Sequence, residues 1–185
     1  MEMIKEATHL ARDASVRSTF TNPDRKPARK AVAVDAAHGE FLTFRLGGEE
    51  YGIDILRVQE IRSYEQPTRL ANTPDFLRGV VNLRGVIVPI IDLRLKLSCQ
   101  SAEFNAFTVV IVLNVRGRVI GAVVDAVSDV LELGGDTIKP APEMNSQVDM
   151  SYITGIANVG ERMLILMDIE ALMSASDMGL IDDSK

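Results

Sequence analysis

The side chains of this chain that could do chemistry are arginines and carboxylates. Arg57, Arg62, Arg78 and Arg84 supply positive charge, and Glu60, Asp54 and Asp125 supply negative charge, in segments otherwise rich in valine, isoleucine and leucine. Such a mixture builds binding surfaces, in which apolar anchors such as Val58 and Val130 provide affinity and a charged rim fixes register. A second use is catalytic, with carboxylates such as Asp54 or Asp125 acting in a small β-barrel enzyme. The remaining composition favours the first use. The two histidines, His9 and His38, both precede residue 40, so no Ser-His-Asp or Cys-His arrangement and no histidine-based zinc site can be assembled from the rest of the chain. Cys99 is the single cysteine, which rules out an internal disulfide or a cysteine metal cluster within one chain. The glycine pairs in "GGEE" and "LGGD" fit turns and match neither a dinucleotide nor a P-loop spacing. Aromatic residues make up 5% with no tryptophan, poor material for a sugar cleft. The expectation is a protein without cofactor, metal or catalytic set.

Composition narrows the partners as well. The 185 residues are 46% apolar, enough for one domain or for two small halves that share a core. Arg84, Asp92 and Arg94 interrupt the best candidate for a membrane span, and Arg116 and Arg118 interrupt the next. The opening "MEMIKEATHLARDAS" has no apolar signal region, so a cytoplasmic protein is expected. Residues 1–39 hold 7 basic and 5 acidic side chains and the remainder 13 and 21, which gives a leader of +2 and a body of −8. An acidic body without a basic stripe argues against nucleic acid as partner.

The elements that must position these residues are mostly strands. Residues 1–39 form a leader: Ile4, Ala7, Leu10, Ala11 and Ala14 have helical spacing, followed by the proline-broken "TNPDRKPARK". It reads either as a leader without a role or as a docking helix. From Phe41 "FLTFRL" alternates, "GGEE" turns, and "YGIDI" completes a hairpin; "TVVIVLNV", "RGR" and "VIGAVV" repeat the design. Asp92 and Asp168 each end a strand and are placed to accept the free N–H groups of a short helix. Pro89 suits a strand edge.

The chain also repeats itself. A shift of 76 carries Phe76, Gly79, Asn82 and Asp92 onto Tyr152, Gly155, Asn158 and Asp168, and a shift of 69 carries Gly52, Val58, Glu60 and Ile61 onto Gly121, Val127, Asp129 and Val130. About ten short strands in two related halves predict an all-β protein of two packed five-stranded SH3-like barrels, with a groove between them. The predicted boundaries are a leader over 1–39, a double barrel over 40–178 with halves of roughly 40–100 and 101–178 that can exchange terminal strands, and a tail over 179–185. Neither half has core enough alone.

The repeat singles out Arg84, whose counterpart is Gly160. The fold accepts glycine at this turn, so the arginine is either a solvated turn residue or an addition made for a partner. Val58 and Val130 likewise read either as exposed anchors or as ordinary core.

The blocks "EEYGIDILRVQEIR", "ANTPDFLRGVVNLRGVIVPIIDLR", "VVDAVSDVL", "IKPAPE" and "RMLILMDIEALM" closely resemble the CheW family of bacterial chemotaxis coupling proteins, in register from about Glu40 to Asp183. The resemblance implies a non-enzymatic adaptor of two SH3-like barrels that links the cytoplasmic tips of methyl-accepting chemotaxis receptors to the CheW-like regulatory domain of the histidine kinase CheA. It implies a monomer that joins ring assemblies with its partners and reaches the membrane through them, without inserting. It places Val58, Glu60, Arg62, Gly79, Arg84 and Val130 in or near partner-binding surfaces, with a receptor helix hairpin in the inter-barrel groove. The long leader departs from the family pattern.

Overall fold

The computed structural model describes residues 39–99, 102–143 and 150–174. The expected leader helix and the tail over 179–185 lie outside those residues. In chain order the elements are β1 (Gly39–Leu46), β2 (Glu49–Asp54), a 3-10 turn (Ile55–Arg57), β3 (Val58–Ser63), β4 (Leu77–Leu83), β5 (Val86–Asp92), α1 (Leu93–Lys96), β6 (Val109–Val115), β7 (Arg118–Val124), β8 (Ala126–Leu133), β9 (Ile138–Lys139), β10 (Ile153–Val159), β11 (Arg162–Met167) and α2 (Ile169–Ser174).

These strands form two sheets. One has the order β8-β1-β2-β11-β10-β9 and the other β3-β6-β7-β5-β4, the first reaching six strands through the two-residue β9. Each sheet draws strands from both sides of residue 100. Both leading hairpins are exchanged: β1–β2 joins β11 in parallel at Gly52 opposite Leu166, and β6–β7 joins β5 in parallel at Gly121 opposite Ile90. The units that cross between the halves are whole hairpins. A hairpin closes its own ladder locally, so it can dock on either half as a unit.

The repeat found in the sequence recurs in the bonding. The Asp92 N–H donates to the Phe76 carbonyl at 2.7 Å, and 76 residues later the Asp168 N–H donates to the Tyr152 carbonyl at 2.7 Å. Both aspartates cap as expected, Asp92 accepting from the Arg94 N–H at 3.1 Å and Asp168 from the Glu170 N–H at 2.9 Å. Pro89 does not lie on an outer strand, because β5 sits between β7 and β4. It is tolerated because the parallel ladder to β7 begins only at Ile90, leaving that flank of Pro89 without a partner strand.

Three apolar clusters hold the body together. The largest mixes both sheets, with Leu42, Phe44, Leu46 and Ile53 from one and Ile91, Ile111, Leu113 and Val124 from the other, joined by Ile169, Leu172 and Met173 of α2. Smaller clusters lie around Phe41 and Leu164 and around Val88 and Val112. Phe41 and Leu42 are adjacent and both buried, because β1 packs against a different apolar cluster on each of its two faces. The halves therefore depend on a common core. Each fully buried aliphatic side chain there is worth about 1.5–3 kcal/mol relative to exposure.

Tyr51 packs against this core and stacks on Phe44 with ring centroids 6.0 Å apart. Burial, with smaller contributions from nearby ionisable groups, pushes its phenol from 10.0 up to about 12. A phenol that holds its proton more tightly in the folded state stabilises the fold fully below the unfolded pKa and loses that contribution as pH rises toward the folded one. Melting temperature is therefore expected to fall between pH 10 and about 12, and Tyr51→Phe to flatten that fall. A phenolate absorbance titration in which every tyrosine of the folded protein ionises near pH 10 would contradict this reading.

Candidate partner-binding site

Glu60 sits on β3 directly after a bulge, where the ladder to β6 skips Gln59 between Val58 and Glu60. The bulge turns the carboxylate toward the tip of the β4–β5 hairpin. There the Arg84 guanidinium donates to Glu60 Oε2 at 2.8 Å, while Arg62, two residues along β3, donates to Oε1 at 3.3 Å. One carboxylate thus organises two arginines. The Arg84 bond, more than any other influence, holds the Glu60 carboxyl below the usual carboxylate range; partial burial opposes the shift and Arg62 adds to it.

Arg84 makes this contact from an unfavourable backbone. Its φ is +52°, in the left-handed region, and the equivalent Gly160 has φ +61°. A side chain other than glycine, asparagine or aspartate in that region costs on the order of 1–2 kcal/mol. The side chain remains 79% exposed, so its ion pair with Glu60 is screened by solvent and adds little to stability. Arg116, before Gly117 at the tip of the β6–β7 hairpin, has nearly the same φ of +50°, so this fold uses a left-handed arginine at two turns, and what sets Arg84 apart is its contact with Glu60.

Gly79 contributes through backbone. Its φ is +140°, and a Cβ added there would lie 2.1 Å from the Thr68 carbonyl oxygen. Thr68 and Val80 exchange two backbone hydrogen bonds of 2.9 Å, which clamp the β3–β4 connection on β4. At the equivalent Gly155 an added Cβ would lie 2.9 Å from the Lys139 carbonyl oxygen, so the repeat preserves a close crossing at both positions.

The two valines separate. Val58 is half-buried against the shared core, whereas Val130 on β8 is 47% exposed, and its repeat counterpart Ile61 on β3 is 45% exposed. The structure thus brings Glu60, Arg62 and Arg84 together, keeps Gly79 as a buried backbone crossing, and puts Val130 on the other sheet. Around the charged group lies a recess of about 180 Å³ lined by Leu83, Val86, Val88 and Val112 among others. Val86 and Ile87 are both exposed beside Arg84. Sequence reasoning passed over Ile61, Val86 and Ile87. Ile61 was recoverable, since the shift of 69 already aligned it with Val130.

The carboxylates considered for catalysis hold structure instead. Asp54 accepts the Leu56 N–H at 2.9 Å and caps the 3-10 turn. Asp125 accepts from Arg94 at 3.2 Å and from the Gly47 N–H at 2.8 Å. Among the described residues no group of three or more histidine, cysteine or acidic side chains is arranged to hold a metal ion, and no helix is long and apolar enough to cross a membrane.

Arg94 is fully buried together with Asp92, a feature the sequence did not announce. It bonds both Asp92 oxygens at 2.9 Å and the Glu103 carbonyl at 2.6 Å, and Arg78 reaches the same aspartate at 3.1 Å. Phe104 covers the cluster, with the Arg94 and Arg78 guanidiniums 4.7 and 5.1 Å from its ring centre. Burial works against the Arg94 charge, and Asp92 and Asp125 outweigh it, so its pKa stays above the ordinary value.

The chain is similar to several known proteins in sequence and fold. Residues 40–177 match the CheW-like domain family. The chemotaxis protein CheW of Klebsiella aerogenes is 61% identical over 152 residues, covering 82% of this chain and 92% of that protein. The chemotaxis protein CheW of Bacillus subtilis is 33% identical over 135 residues, 72% of this chain and 86% of its own. The crystal structure of the scaffolding protein TtCheW from Thermoanaerobacter tengcongensis superposes with a TM-score of 0.69 at 29% identity, over 76% of this chain and 95% of that one.

Proposed function

This chain belongs to the CheW-like domain family, and from that premise we propose that it is a non-enzymatic chemotaxis scaffold, which couples the cytoplasmic tips of chemoreceptors to the histidine kinase CheA. Its site in this reading is the Glu60, Arg62 and Arg84 cluster with the apolar Val86 and Ile87 beside it, and Val130 marks a second contact on the other sheet. Gly79 supports the first surface by fixing the hairpin that carries Arg84, and Val58 supports β3 from beneath.

The observation that carries the proposal is Arg84 itself. It occupies a backbone conformation better suited to glycine, its counterpart is glycine, and its side chain is exposed. The turn accepts glycine, so the exposed guanidinium that Glu60 holds beside an apolar surface is free to serve a partner. The apolar surface beside it would seat a helical or barrel partner, and the charged group would set its register. Coupling then needs no covalent chemistry: one rigid body that holds receptor and kinase lets a receptor change bias the kinase through differential contacts. The place of action in this reading is the cytoplasm, at receptor arrays.

Arg84→Gly tests the reading directly. We expect melting temperature unchanged or slightly raised, because glycine relieves the left-handed φ, and affinity for at least one partner lowered roughly tenfold or more, as for a rim charge that fixes docking. The measurement is thermal unfolding beside pull-down with receptor tip and kinase regulatory domain, separately and together. Full receptor control of CheA in a reconstituted mixture lacking this protein would rule out the scaffold role. Undiminished binding by the Arg84 variant would remove Arg84 from the site.

A further inference from the structure

We propose that Arg94 is a positioning residue, which sets how the two sheets stand relative to each other by gripping Asp125 at the point where the chain passes from one sheet to the other. Asp125 lies between β7 of the five-stranded sheet and β8 of the six-stranded sheet. Its Oδ1 receives the Arg94 guanidinium at 3.2 Å, and its Oδ2 receives the N–H of Gly47, in the β1–β2 turn of the other sheet, at 2.8 Å. The Asp125 N–H in turn donates to the Arg45 carbonyl at 3.0 Å. A continuous chain of bonds therefore runs from α1, through the crossover, into the hairpin of the opposite sheet.

The internal repeat supplies a comparison within the molecule. The shift of 76 takes Arg94 to Glu170, and the shift of 69 takes Gly47 to Arg116. The equivalent grip is thus inverted in charge: Glu170 on α2 pairs with Arg57 in the other crossover at 2.6 Å and with Arg116 in the other hairpin turn at 3.5 Å. Glu170 reaches its crossover and its hairpin turn directly, whereas Arg94 reaches the crossover directly and the hairpin turn through Asp125. They differ in burial. The Arg94 side chain has no exposed surface, whereas Arg57 and Arg116 are 45% and 48% exposed. Exposed pairs are screened and weak, while a buried guanidinium already satisfied on three sides by Asp92 and the Glu103 carbonyl has a fixed direction. The carboxylates differ little, Asp125 being 29% and Glu170 22% exposed, so it is the buried, fixed guanidinium of Arg94 that does the positioning.

The consequence reaches the proposed function, on whose truth only this step rests. Glu60 and Arg84 stand on one sheet and Val130 on the other, so a partner that touches both reads the relation between the sheets that Arg94 sets.

The test is an inter-sheet distance. In a Cys99→Ala background, spin labels at Gln59→Cys on β3 and Glu132→Cys on β8 report the separation of the two outer strands by pulsed electron paramagnetic resonance. We expect one narrow distribution in this parent, a broader or shifted one on adding Asp125→Asn or Arg94→Lys, neither of which can keep the charged fork, and the parent's distribution on adding Glu170→Gln. Distributions that superpose for Asp125→Asn and the parent would overturn the proposal, as would equal broadening by Glu170→Gln. In the unsubstituted chain, hydrogen exchange gives an arm that needs no variant to fold: the Gly47 amide, although in a hairpin turn, is expected to be protected at least tenfold over an unbonded turn amide, and exchange at the unprotected rate also overturns it. Failure of the parent to bind either partner would count against the scaffold reading alone, since the distances are read without a partner.

Discussion

Gly79→Ala is expected to lower the melting temperature by on the order of 10 °C, a large effect for one methyl group. The added Cβ would meet the Thr68 carbonyl oxygen at 2.1 Å, and backbone, unlike a flexible side chain, cannot swing aside. Overpacking of this kind costs about 1–3 kcal/mol, and a φ of +140° adds strain for any L side chain. Relief requires breaking the paired Thr68 and Val80 hydrogen bonds, each worth about 1 kcal/mol net. A chain of 185 residues shifts by roughly 2–4 °C per kcal/mol. Gly155→Ala, with a 2.9 Å approach and no left-handed φ, is expected to cost distinctly less. Circular dichroism melts of the two variants decide the matter, and equal shifts would show that the β3–β4 connection yields. Partner binding should fall with Gly79→Ala as well, because the same crossing anchors the hairpin that carries Arg84.

Asp92→Ala is the second large effect. The carboxylate is fully buried and receives Arg94 through both oxygens and Arg78 through one. Its removal leaves a buried guanidinium without its main counter-charge, for which about 3–5 kcal/mol is the usual loss. Asp168→Ala deletes the equivalent helix cap at a site with an exposed carboxylate, so it should cost only about 1 kcal/mol. Urea unfolding of both variants measures the difference. A loss for Asp92→Ala no greater than that for Asp168→Ala would mean that capping is all Asp92 does, and that the Arg94 cluster is neutral for stability.

Some of this was open to inspection in the residues. Hairpins over β1–β2 and β6–β7, the two aspartate caps and the tip at Arg84 and Gly85 are local: turn residues and alternation set them within a few positions. The doubling of the fold was legible because both halves keep the same glycine crossings and caps. The candidate site was legible only in part. Comparing Arg84 with Gly160 identified a residue the turn does not require, yet Glu60 and Arg84 are 24 positions apart, and nothing local says that a bulge on β3 aims one at the other. Val58 and Val130 looked alike in the sequence, and one turned inward while the other stayed out. Strand alternation alone cannot separate them where both faces of a strand have neighbours.

What the sequence by itself determined is therefore the set of parts: the strands, their turns, their caps, the family they resemble and the absence of a catalytic histidine or a cysteine pair in the body. Only the tertiary structure decided how the parts are shared. Each leading hairpin joins the other half's sheet, Pro89 lies on an internal strand, and Arg94 is buried against Asp92 and Asp125 at the crossover. The physical reason is common to all three. Local hydrogen bonding makes a hairpin equally well wherever it docks, whereas the main core is built from residues of both sheets that are far apart in sequence, and a charge can be buried only where distant partners converge on it.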